Sequence, residues 1–237
     1  MELKYKISTE AKTYRGHKLY QIVALRNFGN VRKGEKGGWI EYPYGLSAYA
    51  GNLSHDGLSW VGAGSVVYGS ARIDENAQVV GQSIVSGHSK VSGSSYVQDS
   101  RVSGNAVIYG KARLIQSKIT QSACLYDSAE VTGGATIKGH VHIGGNAQVH
   151  IQGVIDGKVE LGGIANIQSE TDYKTYVFDT YLSYTFFRGA DGQLYVSYRG
   201  AVERLVDFAG RTLYYQPAVI QQQLLACVEE VKQIFKS

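Results

Sequence analysis

Nineteen aliphatic residues recur at a fixed interval along the middle of this chain. Val61, Val67, Ile73, Val79, Val85, Val91 and Val97 step by six. A step of five reaches Val102, followed by Ile108 and Leu114 at steps of six, and a second step of five reaches Ile119. Steps of six then resume through Leu125, Val131, Ile137, Ile143, Val149, Ile155 and Leu161 to Ile167. Gly stands two places after 11 of these 19 anchors, and Ala or Ser stands four places after in 13 of the 16 complete hexads. A helix repeats every 3.6 residues and a single strand every 2, so neither explains a period of six.

A chain that turns a corner after every short strand does explain it. Three six-residue sides close one triangular coil, with each anchor pointing into the prism. The Ala or Ser fits where the corner crowds the interior. Gly, or Asp as at Asp99 and Asp127, accepts the positive φ of a tight corner. This is the hexapeptide repeat, and it predicts an all-β-dominated fold: a left-handed parallel β-helix of about six coils over 61–169, on the order of 30 Å long. The two steps of five lie 17 residues apart, so they shorten the same corner in successive coils. A Ser precedes the end of each (Ser100, Ser117). With 29 Gly and no G-X-Y period, collagen is excluded.

Solenoid ends expose unpaired strand edges and need covering. Residues 1–60 are expected to form a β-rich N-terminal cap, with "KLYQIVAL" as a strand and "GNVRKGEKGGWIE" as a turn-rich stretch ending in Trp39 and Ile40. Residues 170–237 read as a small α+β module. "YLSYTFFRGADGQLYVSYRG" is a hairpin about Gly-Ala-Asp-Gly, and "VERLVDFA" is a short helix. Pro217 opens a longer helix with Ile220, Leu224, Cys227, Val228, Val231 and Ile234 on one stripe, packed on the hairpin.

The stretch Lys33, Gly34, Gly37, Gly38, Trp39, Ile40, then "LSHDGLSWV", then tandem V-x-G-x-A hexads, resembles the YdcK-like hexapeptide-repeat proteins. The hairpin "YTFFRGADGQLYV" with a terminal helix looks like the tail of phage- and prophage-borne members. The resemblance covers most of the chain and implies a left-handed β-helix with caps.

Many hexapeptide-repeat proteins are acyltransferases that use acetyl-CoA and a His base. Of the six His here, His88 and His140 are expected at solvent-facing corners, and His142 and His150 on outward positions. His140, His142 and His150 are the weak catalytic candidates. "HVHIGGNAQVH" is the only His cluster, but it places His150 on another face, so no metal site is expected. No phosphate-loop motif is present, and no cofactor is expected outside the acyltransferase reading.

The outward positions are more informative. Val66, Ile84 and Val154 precede anchors on one face. Val80 and Ile115 also point out. Tyr109 and Tyr126 follow anchors 17 apart and should stack. Exposed apolar columns suggest a homo-oligomer, a trimer by preference, with Val66, Val80, Ile84, Ile115 and Val154 at its interface. Residues 1–60 hold nine basic residues against five acidic, and the whole chain carries +4. Arg32, Lys33, Lys36 and Trp39, with Tyr109 and Tyr126, are the candidate ligand- or partner-binding residues. The partner would be a host protein or a small anionic ligand. A charge of +4 is too small for a nucleic-acid binder. No apolar run is long enough to span a membrane. The first residues, "MELKYKISTEAK", have no signal-peptide character, and the two Cys make no framework, so a bacterial cytoplasm is expected. The reading carried forward is a non-catalytic oligomeric binding or scaffold protein, encoded by a phage or prophage. Acyl transfer and a structural virion part are the alternatives.

Overall fold

The computed structural model describes residues 3–41 and 51–235. Residues 42–50 of the expected cap lie outside the described residues. A parallel β-solenoid of about six turns occupies the middle of the chain. Its strands of two or three residues form three sheets, one per side of the prism. One sheet climbs from Trp60–Val61 to Asn166–Ile167, the second from Val66–Val67 to Val154–Ile155, and the third from Arg72–Ile73 to Glu160–Leu161. All 19 anchors are buried, none more than 1% exposed. The core is continuous from end to end because each anchor pairs with an anchor above and below, as in Val79–Val97–Leu114.

Positive φ recurs at the corner two places after the anchor, and Gly is not the only residue there. Glu75, Asp99, Gln116, Gln121 and Asp127 adopt it with φ between 48° and 59°. The sequence argument expected Gly and Asp, and the longer side chains are new. Three of the five offset the strain in one way: the side chain accepts the corner amide of the next coil. Glu75 Oε2 accepts from Gly93 N (2.9 Å), Gln121 Oε1 from Gly139 N (2.6 Å) and Asp127 Oδ2 from Gly145 N (3.2 Å).

The steps of five shorten the corner between the first and second sheets, from Gln98 to Arg101 and from Ile115 to Lys118. Serine hydroxyls take up the hydrogen bonds there. Ser100 N donates to Ser83 Oγ (3.2 Å), and Ser117 N to Ser100 Oγ (3.1 Å).

At the N-terminal end, strands Tyr5–Tyr14 and His17–Ala24 form a hairpin, and Lys36–Ile40 joins it to the second side of the prism through Trp39↔Val66 and Ile40↔Val67. Gly37 and Gly38 are required because this strand lies directly on the first coil. A Cβ at 38 would stand 2.5 Å from Ser65 O and 2.6 Å from Gly62 O, and one at 37 would stand 2.5 Å from the Trp60 ring. The Gly-Gly-Trp-Ile stretch is therefore a docking element. Inside the cap, Lys4 is fully buried, its Nζ donating to Ser59 Oγ (3.0 Å) and Asp56 O (3.3 Å). Its backbone N–H donates to His55 Nδ1 (3.1 Å).

At the other end, four antiparallel strands, Tyr173–Val177, Ser183–Arg188, Leu194–Tyr198 and Ala201–Arg204, form one sheet. Two helices, Leu205–Gly210 and Ala218–Ile234, pack on it through Phe208, Leu224, Val228 and Val231 against Tyr184, Phe186 and Val196. The hairpin and the long helix match expectation. The Val-Glu-Arg of the expected short helix is instead the fourth strand, because it pairs with Tyr195–Tyr198 before the helix begins. The sheet is tied to the last coils by Ala190 N to Ile164 O (2.8 Å) and Glu160 N to Thr185 Oγ1 (3.0 Å).

Candidate functional site

The seam between the prism and the terminal module holds a cavity of about 260 Å³. On the prism side stand His140, His142, Lys158 and Glu160. On the module side stand Thr180, Tyr181, Ser183 and Arg199. The prism fixes its contribution through register. Cys124, His142 and Glu160 occupy the same outward position in consecutive rungs of the third sheet, so their side chains stack along one column. His140 and Lys158 lie at the preceding corner one coil apart, where His140 N donates to Gly157 O (2.8 Å).

The module side is built from two turns. In the first, Asp179 Oδ1 accepts from the amides of Tyr181 (2.6 Å) and Leu182 (2.8 Å), and Lys158 Nζ reaches across the seam to the carbonyl oxygens of Asp179 (3.4 Å) and Thr180. In the second, Arg199 and Gly200 make the two-residue link between Leu194–Tyr198 and Ala201–Arg204, with φ 48° and 80°. Asn-Gly or Asp-Gly suits such a link, and an Arg at its first position is strained. The turn brings Arg199 to the lining of the cavity. Neither Lys158 nor Arg199 forms an ion pair among the described residues. The Arg199 charge is felt nearby: burial pushes the Tyr184 phenol up, and Arg199 pulls it partly back. Two cations and two imidazoles face one carboxylate here, an arrangement suited to holding an oxyanion group. Among the described residues no group of three or more His, Cys, Asp or Glu is placed to hold a metal ion.

The expected site residues do not form one site. His140 and His142 meet in the seam, but His150 lies on the first sheet with its Nδ1 2.6 Å from Thr132 Oγ1. Arg32 and Lys33 lie exposed on the cap turn, Lys36 is ion-paired to Glu10 (2.6 Å), and Trp39 lies under Lys12 at 4.3 Å as part of the cap packing. Tyr109 and Tyr126 do stack, with ring centroids 5.5 Å apart and planes 11° apart, but on the third sheet, away from the cap strand on the second. The Tyr126 ring covers Gly144, where a Cβ would come within 2.2 Å of it. Burial, with Glu160 and Tyr109 nearby, pushes its phenol up to about 12.

The expected interface residues also separate. Val66, Ile84 and Val154 share the second sheet, but Arg101, Lys118 and Thr136 fill the column between Ile84 and Val154. Val66 points outward, yet it is only 4% exposed because the cap hairpin lays Leu19 on it. It is part of the cap's own packing and offers no open surface. Val80 and Ile115 share a column of the first sheet with Gln98 between them, all half-buried. Val154 is exposed.

Lys158, Tyr181 and Arg199 were not singled out by the sequence. One signal was available, an Arg before Gly at a hairpin link, but only its position over the last coils gives it meaning. No protein-family model matches the chain, and no curated protein matches it.

Proposed function

We propose that this protein is an oligomeric binding or scaffold protein whose seam cavity holds a small anionic ligand. The observation that carries the reading is the convergence of Lys158 and Arg199, neither ion-paired to a carboxylate among the described residues, with His140 and His142 at the junction of two units. Cavities with a few convergent polar groups at such junctions are where small ligands bind. The prism supplies a rigid wall, and the module supplies the turn that closes over it. Exposed Val154 on the prism and Tyr214, Tyr215 and Val219 on the module supply apolar surface for assembly.

Native mass spectrometry of the protein from its expression host tests both parts. The expected result is an oligomer that retains an anionic small molecule, with retention lost in Arg199→Gln. Equal retention in Arg199→Gln, or no binding of citrate or a nucleotide by the wild type, overturns the cavity as the site.

A second reading, acyl transfer, is favoured by one observation. His142 stands in the cavity between Cys124 and Glu160 in register, where an imidazole could serve as a base. Acetyl-CoA binding that is abolished in His142→Ala and retained in Arg199→Gln would choose it over the first.

A further inference from the structure

The two shortened steps do more than keep the coils in register. Each removes one residue from the same corner of consecutive coils. At that corner the surface retracts into a notch of about 250 Å³. The notch lies on the opposite edge of the prism from the third sheet and so is separate from the seam cavity. Its floor is the serine ladder, with Ser100 Oγ donating to Gln98 O (2.7 Å) and Ser117 Oγ to Ile115 O (2.9 Å). Its walls carry Gln82, Asp99, Gln116, Arg101 and Lys118.

Arg101 and Lys118 are direct partners in the parallel ladder, so two like charges stand side by side on adjacent rungs. Side-by-side like charges on one sheet face are destabilising. Neither cation forms an ion pair among the described residues. The one carboxylate among these lining residues, Asp99, is held by amides: Oδ1 accepts from the Gln82 backbone N–H (2.9 Å), and Oδ2 from Gln98 Nε2 (3.1 Å). Other rungs show the alternative arrangement, in which Arg113 faces Glu130 across the ladder at 3.2 Å. The notch therefore combines a concavity at the twice-shortened corner with two cations that outnumber its single, amide-bound carboxylate and with two side-chain amides.

We propose that this notch is a second anion site, for an oxyanion group of the phosphate or sulfate kind bridged by Arg101 and Lys118. The guanidinium offers a planar fork to two oxygens and the ammonium a compact charge to a third. The shortened corner is what admits the anion, because a sixth residue in either step would occupy the notch. The bound dianion would relieve the repulsion that the register imposes.

Isothermal titration of inorganic phosphate, at ionic strength held constant with chloride, tests this on wild type, the Arg101→Gln/Lys118→Gln double variant and Arg199→Gln. The expected result is a saturable isotherm for the wild type, weakened about tenfold or more in the double variant and preserved in Arg199→Gln. In chloride alone the double variant should melt no lower than the wild type, since it has lost only a like-charge contact. Binding that survives in the double variant and disappears in Arg199→Gln assigns phosphate to the seam and overturns the notch. A response that does not saturate and is equal in all three proteins is a general salt effect and overturns it as well.

Discussion

The prism and its N-terminal cap share one continuous core but are held together in different ways. In the prism most rungs are built from the same few parts: an aliphatic anchor, a small residue inside the corner and a residue of positive φ at the turn. Each rung contacts only its neighbours. The cap depends on contacts made once. It buries an ammonium, an imidazole and the Asn52 amide, and it meets the first coil through two glycines. Repetition thus stabilises the middle of the molecule by many equivalent increments, while the end rests on a few that cannot be replaced.

The sharpest way to break that contrast is to add one methyl group at each kind of position. Gly38→Ala places a Cβ against two backbone oxygens at 2.5 and 2.6 Å, and neither can move without parting the cap strand from the first coil. A loss of about 3 kcal/mol or more is expected, as for other overpacked sites. Gly134→Ala, in the prism at φ +88°, meets nothing closer than the Gln152 Cγ at 3.8 Å. It should cost only the strain of the left-handed conformation, about 1 kcal/mol. Urea unfolding followed by circular dichroism measures both. Equal losses would mean that the cap joint is no more demanding than a prism corner.

The next largest effect separates the cap from the prism by pH. Burial, with Arg26 nearby, lowers the Lys4 amine to about 8 from 10.5, against the opposing pull of Asp56 and Asp74. Between those two values the unfolded chain binds a proton that the folded chain has released, so stability rises with pH across that window. Below about 8 both states are protonated and the full penalty is present. At 1.36 kcal/mol per unit, the wild type should gain about 3 kcal/mol over a Lys4→Met variant between pH 7.5 and 11. The comparison removes the titration of exposed tyrosines, which both proteins share. Parallel stability curves would show that the Lys4 charge is not confined as the cap packing requires. The His55 imidazole is pushed down by its own burial and by Lys4, so its titration lies below this window.

The same contrast governs what could be read from the sequence. The anchors and corners were legible because a pattern marked by nineteen anchors reports its own geometry, and the terminal helix because Leu224, Val228 and Val231 keep a helical stripe. Lys4 adds only to the basic excess of residues 1–60, since nothing local distinguishes a lysine bound for the interior. Val66 was read as an open face because outward direction can be deduced from the period, but coverage by Leu19, far away in the chain, cannot. The seam cavity was half legible. His140 and His142 stood out as a cluster, while Lys158 and Arg199 acquire a role only when the module folds over the last coils. Register and facing are local properties, whereas juxtaposition of distant segments is not.

The smallest effects test whether prism corners are as interchangeable as they look. Gln121 and Gln116 both adopt positive φ, at 59° and 49°, but only the Gln121 side chain holds the next coil's amide, through the 2.6 Å bond from Gly139 N. Replacing either with Gly removes about 1 kcal/mol of left-handed strain. At 121 that gain is offset by loss of a hydrogen bond worth about 1 kcal/mol, so Gln121→Gly should be nearly neutral. Gln121→Ala keeps the strain, loses the bond and should cost about 1 kcal/mol. At 116 there is no such bond to lose, and Gln116→Gly should raise stability by about 1 kcal/mol. The difference between these two glycine substitutions, one nearly neutral and one stabilising, is the informative quantity. If both stabilise equally, the side-chain bond to the next coil contributes nothing, and the prism's tolerance of long residues at its corners needs a different cause.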